Sequence, residues 1–431
     1  MLNFYFDLIM TVAKHFQLKD DTLHAENVSL EQLAHDFGTP LYVYSRQALH
    51  DAWYSYHVAA QGRDVLVCYG MKANSNLAIL NEFSRLGTGF DIVSGGELAR
   101  VIAAKGDPAK VVFSGVGKQR WEIEAALDAG IKCFNVESEA ELERINQIAG
   151  EKGVKAPISL RVNPDVDAKT HPYISTGLKD NKFGVDINEA PAIYARAQAM
   201  PHLEIVGVDC HIGSQITEIS PYLDALDKLI ALIKQLQSQG ITLSHLDIGG
   251  GLGIRYTDET PATPTELLSA VFKALDAADL GHLQLVLEPG RSMVGNAGVL
   301  LTRVEYVKTN QDKHFAIVDA AMNDLIRPTL YDAWHDVEPV RPRTGSAPAP
   351  AYDIVGPICE SGDWLAKDRA LHLAQGDLLA IMSAGAYAFT MSSQYNTRPR
   401  AAEVIVDDQS VHLVRPRESL ESLFDSERLI D

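Results

Sequence analysis

The chain has 431 residues, 46% hydrophobic and 22% charged, the balance of a water-soluble globular protein with room for more than one core. A formal net charge of −19 argues against nucleic acid and anionic membranes as partners, although a few arginines inside a cleft can still reverse the field for a small anion. Four widely spaced cysteines with no C-x-x-C pair suggest neither a disulfide framework nor a zinc site, so no metal is expected.

In chain order, Met1 to Phe16 is fairly apolar but lacks a basic start, carries Asp7 and has no small-residue cleavage site. It reads as a helix or loosely held extension rather than a secretion signal. No apolar run is long enough to span a bilayer, so a cytoplasmic enzyme is expected. Thr22 to Glu26 is a short strand, Ser29 begins a helix over Leu30 to Phe37 with Glu31 and Gln32 as capping candidates in its first turn, Gly38-Thr39-Pro40 ends it, and Leu41 to Tyr44 is strand-like.

From Val65 a rhythm of short apolar strand, turn and amphipathic stretch sets in. The predicted strands are Val65–Met71, Gly89–Val93, Lys110–Ser114, Cys133–Val136, Ile158–Val162, Ile205–His211, Leu243–Ile248 and Gln284–Leu287. Eight such units in about 225 residues fit a (β/α)8 TIM barrel. A doubly wound open sheet is the runner-up, but no G-x-G-x-x-G follows the first strand. The longest interruption, Asn163 to Phe183, is polar and turn-rich. Beyond Gly298 the strands Val299–Thr309, His314–Asp319, Tyr352–Val355, Leu378–Ile381, Ala402–Val406 and Ser410–Arg415 follow without helices between them, an all-β domain of Greek-key or sandwich type. Arg341 to Pro350 reads as a surface loop and Glu418 to Asp431 as a short acidic helix. The organisation expected is an extension over 1–21, a segment over 22–44 that joins the β domain, a barrel over 45–297 and the C-terminal β domain over 298–431.

Barrel chemistry gathers at the C-terminal ends of the strands. Those positions hold Lys72, Asp91, Ser114, Glu137, Arg161, His211, Gly249-Gly250-Gly251 and Glu288. Strand ends border solvent, so any one polar residue there is cheap. A lysine, a histidine and two glutamates converging on one mouth are harder to explain by packing. A lysine at a buried strand tip can be held in a low dielectric, lose its proton more easily and act as a Schiff-base nucleophile. The glycine run after strand seven suits phosphate. His211, after strand six, can stack on a planar ring. In Glu288-Pro289-Gly290-Arg291, the carboxylate can pair with a protonated ring nitrogen and the arginine with a substrate carboxylate. Together these groups fit pyridoxal phosphate.

The segments Phe37-Gly38-Thr39-Pro40-Leu41-Tyr42-Val43-Tyr44, Tyr69-Gly70-Met71-Lys72-Ala73-Asn74, Gly89 to Glu97, His171 to Gly177, Lys182-Phe183-Gly184, His211-Ile212-Gly213-Ser214-Gln215 and Glu288-Pro289-Gly290-Arg291 closely resemble the alanine-racemase-fold, pyridoxal-phosphate-dependent decarboxylases. Met322 to Tyr331, Gly356 to Asp363 with its Cys359-Glu360 pair, and Gly385-Ala386-Tyr387 resemble the diaminopimelate decarboxylases among them. The resemblance covers nearly the whole chain after Thr22. It implies decarboxylation of meso-2,6-diaminoheptanedioate (meso-diaminopimelate) to L-lysine and CO2, the last step of lysine biosynthesis.

Residue by residue, the resemblance implies that Lys72 binds the cofactor covalently and His211 stacks on its ring. Ser214, Gly249, Gly250, Gly251 and Tyr387 hold the phosphate, Glu288 pairs with the ring nitrogen, and Gly290 and Arg291 line the cofactor. Arg291, Arg327, Tyr331 and Tyr387 bind substrate, Glu360 takes the distal amino group, and Cys359 donates a proton. Asp91, Arg161 and Asn163 line the site without assigned roles. Cys359 and Glu360 are implied to reach the site of a neighbouring subunit, so the expected assembly is a homodimer. The alternatives are an ornithine, arginine or carboxynorspermidine decarboxylase of the same fold, against which Glu360 and the Arg327–Tyr331 segment argue, or a non-catalytic homologue that binds the cofactor, against which Lys72 and Cys359 argue. The stretch before Phe16 and the long Asp332–Pro350 connection depart from the family's pattern.

Overall fold

The eight apolar runs between Val65 and Leu287 become strands because each is short, bounded by turn residues and followed by a stretch of helical period. In the computed structural model, which describes residues 15–168, 176–177, 181–345 and 348–430, strand one is Val65–Gly70, strand two Gly89–Ile92, strand three Val111–Phe113 and strand four Cys133–Val136. Strand five is Ala156–Asn163, strand six Leu203–Asp209, strand seven His245–Asp247 and strand eight Gln284–Leu287. Each pairs in parallel with the next, strand eight returns to strand one, and the sheet closes into a barrel. Cys68, Val112, Cys133 and Val286, from strands one, three, four and eight, pack as one cluster, which they can do only across the barrel's interior.

The helices begin where the sequence offers caps. Ser94 and Ser138 accept from the amides of Glu97 and Glu141, and Thr263 with Glu266 forms a reciprocal capping box ahead of Pro264–Ala277. Among the described residues no helix is long and apolar enough to cross a membrane.

The barrel unit comprises Ala52–Ile254 and Thr260–Met293; the second unit gathers the chain up to Asp51, Arg255–Glu259 and Val294 onward. These limits differ from the expected cut of 45–297 by a few residues at each end and by the Arg255–Glu259 excursion. The second unit is built on a long strand, Gly298–Asn310, antiparallel to Leu41–Ser45, Leu378–Ile381 and Lys313–Val318. Leu41–Ser45 pairs in parallel with Ala402–Asp407, so the N-terminal segment sits inside this sheet. Leu41, Val43, Val299, Leu301, Ala380, Val404 and Val406 form its core together with Leu30 and Leu33 of the helix Leu30–Phe37.

Several expectations for this unit are corrected. Strand Trp364–Ala370 was not legible, because Asp368 at φ +54° and two register shifts against Ala351–Val355 break the in-and-out alternation. A short helix, Arg327–Tyr331, interrupts the all-β pattern. The predicted helix over Glu418 to Asp431 reduces to one 3-10 turn, Glu421–Leu423, among the described residues. Leu420, Phe424, Leu429 and Ile430 are exposed there, and a short helix with no buried face does not hold. Residues 1–14 of the predicted extension, His171 to Ser175 of the family motif, and 346–347 of the Arg341–Pro350 loop lie outside the described residues.

Candidate active site

At the tip of strand one, Lys72 donates Nζ to Oδ2 of Asp91, on strand two, at 2.7 Å. The Lys72 side chain is 36% exposed and that of Asp91 is 0% exposed, so the amine is accessible while its partner is not. The strand tip thus sets a buried carboxylate beside the amine.

In-register neighbours on adjacent parallel strands point the same way. Arg161, Asp209 and Asp247 are such neighbours on strands five, six and seven, and all are buried. Glu288 follows strand eight, and one oxygen each of Asp209, Asp247 and Glu288 lies within 4.8 Å of the others. Burial is the largest cause that raises all three carboxyls; Asp247 then pushes up Asp209 and Glu288, the latter well above the ordinary range, while hydrogen bonds from the Gly249 amide and with Glu288 pull Asp247 partly back. Glu288 Oε1 accepts from Asn135 Nδ2 at 3.2 Å, and more distantly from Ser114 Oγ at 3.4 Å. Both donors are neutral, so neither compensates its charge.

Arg161 is the cation inside this wall. It bonds Glu137 at 3.1 Å, lies 3.9 Å from Asp209 and covers the ring of Phe183. Glu137 also accepts from the amides of Gly115 and Gly184, which ties together the loops after strands three, four and five. Asn163 ends strand five, where its Oδ1 caps the amide of Asp165 at 3.0 Å. These contacts give Asp91, Arg161 and Asn163 structural roles that their spacing did not show. Asn135 and Asp209 were missed; the available signal was a polar side chain inside an otherwise apolar strand.

His211 follows strand six. Its Nδ1 accepts the Gly250 amide at 3.1 Å, so any ring hydrogen sits on Nε2. Burial, then Lys72 and Arg161, holds the imidazole well below its usual range, and the ring is neutral. The glycine run has a mainly steric origin. A Cβ on Gly250 would stand 2.0 Å from the carbonyl oxygen of Glu288, and one on Gly251, at φ +102°, 2.2 Å from that of Gly213. The Gly249 and Gly250 amides are engaged by Asp247 and His211, which narrows the expectation that the whole run donates to phosphate. Ser214 Oγ accepts Nη2 of Arg291 at 3.0 Å, leaving the hydroxyl hydrogen to donate elsewhere. Gly290 is buried beside Arg291.

The other predicted residues belong to the β unit. Arg327 is 6% exposed, with Nη1 2.7 Å from Nε2 of His335 and its guanidinium 4.6 Å from the ring centre of Tyr256. Tyr331 ends the same short helix. Cys359 and Glu360 are exposed on a loop held by Asp363, whose carboxylate accepts the amides of Ile358 and Met322. Tyr395 donates its hydroxyl to Glu360, and the Cys359 amide donates to Asn396 Oδ1. Tyr387 sits at φ +53° two residues after Gly385, where a Cβ would stand 1.8 Å from the Val294 carbonyl oxygen.

A lysine, a neutral imidazole, an Arg-Ser pair and a buried, strongly raised carboxyl at one barrel mouth define a cofactor-dependent barrel enzyme. The model of the pyridoxal binding domain of pyridoxal-dependent decarboxylases matches residues 47–295. Diaminopimelate decarboxylase from Pseudomonas aeruginosa is 60% identical over 415 residues, 96% of this chain and 99% of that one; the enzyme from Vibrio cholerae is 57% identical over 96% and 98%. Crystal structures of diaminopimelate decarboxylase complexed with L-lysine are also similar. The Helicobacter pylori enzyme gives a TM-score of 0.88 at 44% identity over 92% of this chain and 98% of that one; the M. jannaschii enzyme gives 0.92 at 37% over 98% and 99%. The chain belongs to the diaminopimelate decarboxylase family of pyridoxal-dependent decarboxylases, and its cofactor is pyridoxal phosphate. The residues present fit that group. Glu288 is a buried carboxyl pushed well up by burial and by Asp247, Asp91 and Asp209, with Lys72 only partly offsetting them, and a protonated ring nitrogen is the partner that would restore its charge.

Proposed function

We propose that this chain decarboxylates meso-diaminopimelate to L-lysine and CO2 in the cytoplasm as a homodimer. The observation that carries the reading is Glu288: a carboxyl buried among two others has little reason to persist at a barrel mouth unless a cationic ring nitrogen faces it. Bound there, pyridoxal phosphate supplies the electron sink for the pair released when the bond to the leaving carboxylate breaks.

The chain's own residues do the rest. Lys72 would hold the cofactor, His211 would stack on its ring as a neutral imidazole, and Glu288 would keep the ring nitrogen protonated. Ser214 and Tyr387 would hold the phosphate, helped by the Gly249–Gly251 turn, with Gly290 beside them, and Arg291, bonded to Ser214, would bind a substrate carboxylate. At the substrate's other end, Arg327 and Tyr331 bind the distal carboxylate and Glu360 the distal ammonium. A buried polar site left unmatched by ornithine rejects it strongly. Cys359 Sγ gives its proton to the carbon that lost CO2. Cys359 and Glu360 are exposed on their own chain, as residues serving a partner's site must be. Its thiol is also free, which suits a reducing compartment.

Purified protein supplied with pyridoxal phosphate is expected to show a visible absorption band and to release CO2 from meso-diaminopimelate with L-lysine as product. Turnover of ornithine but not of meso-diaminopimelate would refute the reading.

A further inference from the structure

Arg327 opens its helix inside the β unit, almost fully buried. A buried guanidinium needs acceptors for its donors and a surface for its flat face. Two contacts from outside the helix supply them: Nε2 of His335, 2.7 Å from Nη1, and the ring of Tyr256 beneath the guanidinium. His335 is itself fully buried, with Nδ1 2.8 Å from the carbonyl oxygen of Met382. A carbonyl oxygen only accepts, so Nδ1 carries the ring hydrogen, and Nε2 presents its lone pair to Arg327. The imidazole is thereby held neutral in one tautomer. Tyr256 meets it edge-on, with ring centres 5.4 Å apart at 78°, so imidazole, phenol ring and guanidinium brace one another. From a neighbouring strand, Arg369 donates Nη2 to the carbonyl oxygen of His335 at 2.8 Å.

We infer that His335 is a positioning residue: it fixes Arg327 through a neutral acceptor, so that the guanidinium meets the distal carboxylate of the substrate in one orientation and with its positive charge undiminished by that contact. The inference rests on the assignment of Arg327 as the residue that binds this carboxylate. A carboxylate in place of the imidazole would hold Arg327 equally well but cancel its charge. An imidazolium could not accept from Arg327 at all and would add a third cation beside Arg327 and Arg369.

The test uses the holoenzyme and two competitive ligands. L-lysine retains the distal carboxylate, whereas pentane-1,5-diamine has none. In His335→Leu, inhibition by L-lysine is expected to weaken about ten-fold or more and KM for meso-diaminopimelate to rise in parallel, while kcat and inhibition by the diamine stay within about two-fold. His335→Gln, whose amide oxygen can accept from Arg327 while its NH2 group donates to Met382, is expected to recover most of the L-lysine affinity. Arg327→Leu provides the separating control. If it leaves the ratio of L-lysine to diamine affinity unchanged, the assignment of Arg327 falls and the inference with it. If Arg327→Leu lowers the ratio and His335→Leu does not, only the positioning role is overturned. Equal weakening of both ligands in His335→Leu would show general disorder of the site and also overturn it. Should that variant fail to fold, Tyr256→Leu removes the brace from a separate segment, and the same selective loss is required of it.

Discussion

Lys72 donates to Asp91 across 2.7 Å, joining the tips of strands one and two through an accessible amine and a fully buried carboxylate. The pair fixes the amine's position at the strand tip. Lys72→Ala is expected to lose the visible absorption band and at least about 1000-fold in turnover, because covalent attachment disappears. Asp91→Asn keeps the shape and should keep the band. A coloured, active Lys72→Ala protein would exclude Lys72 as the attachment point.

Glu288 is expected to separate stability from activity. Glu288→Gln should lower turnover about 100-fold or more while cofactor content is retained, since an amide cannot balance a protonated ring nitrogen. The same change replaces a carboxyl raised chiefly by burial with a neutral amide, so the apoprotein should melt at an equal or higher temperature, with a gain of up to roughly 1–2 kcal/mol. Calorimetry of the cofactor-free variant checks this; a marked loss of stability would mean that the carboxyl is an essential structural acceptor for Asn135 and Ser114.

For Cys359 the expectation is retained colour with lost turnover, about 100-fold for Cys359→Ala, in the range of a removed proton donor. Mixing it with Lys72→Ala offers a sharper check on assembly. If Cys359 serves the partner's site, random re-pairing makes half of the dimers hybrids with one intact site each, and about a quarter of normal activity returns. No recovery after verified exchange of subunits would place Cys359 in its own chain's site.

Two buried carboxyls set a pH dependence of stability. Burial pushes Glu97, whose carboxylate accepts the Val93 amide, up to about 7, and does the same for Asp324. Each keeps its proton in the folded chain up to that pH but loses it in the unfolded chain near the ordinary carboxyl range, at about 4. The unfolded state therefore binds fewer protons between those limits, and stability falls as pH rises from about 4.5 to 7, then levels off for these groups. Their contribution is about 1–3 kcal/mol apiece, and Glu97→Gln should flatten part of the slope in melting temperatures measured from pH 5 to pH 8. An unchanged slope would show that Glu97 does not titrate there.

Much of the barrel could be read from the chain alone. Strands four and eight fall where their apolar runs end, at Cys133–Val136 and Gln284–Leu287, because the capping Ser138 and the Pro289-Gly290 turn bound them locally. Lys72, His211 and Glu288 were legible for the same reason: a (β/α)8 order converts position at a strand end into position at a mouth. The bulged strand Trp364–Ala370 was not, since its bulge hides the alternation, and the helix expected over Glu418 to Asp431 is one 3-10 turn among the described residues, because sequence does not reveal whether an apolar face will find a partner.

Linear order thus determined the class of fold and the family's chemistry. Only tertiary structure decided the state of the groups. The proton position on His211 comes from Gly250, 39 residues away, and the raised carboxyl of Glu288 from burial beside Asp209 and Asp247. The setting of Arg327 comes from His335 and Tyr256, on two other segments. Charge and hydrogen bonding depend on distance in space and on the exclusion of water, and neither quantity is carried by spacing along the chain.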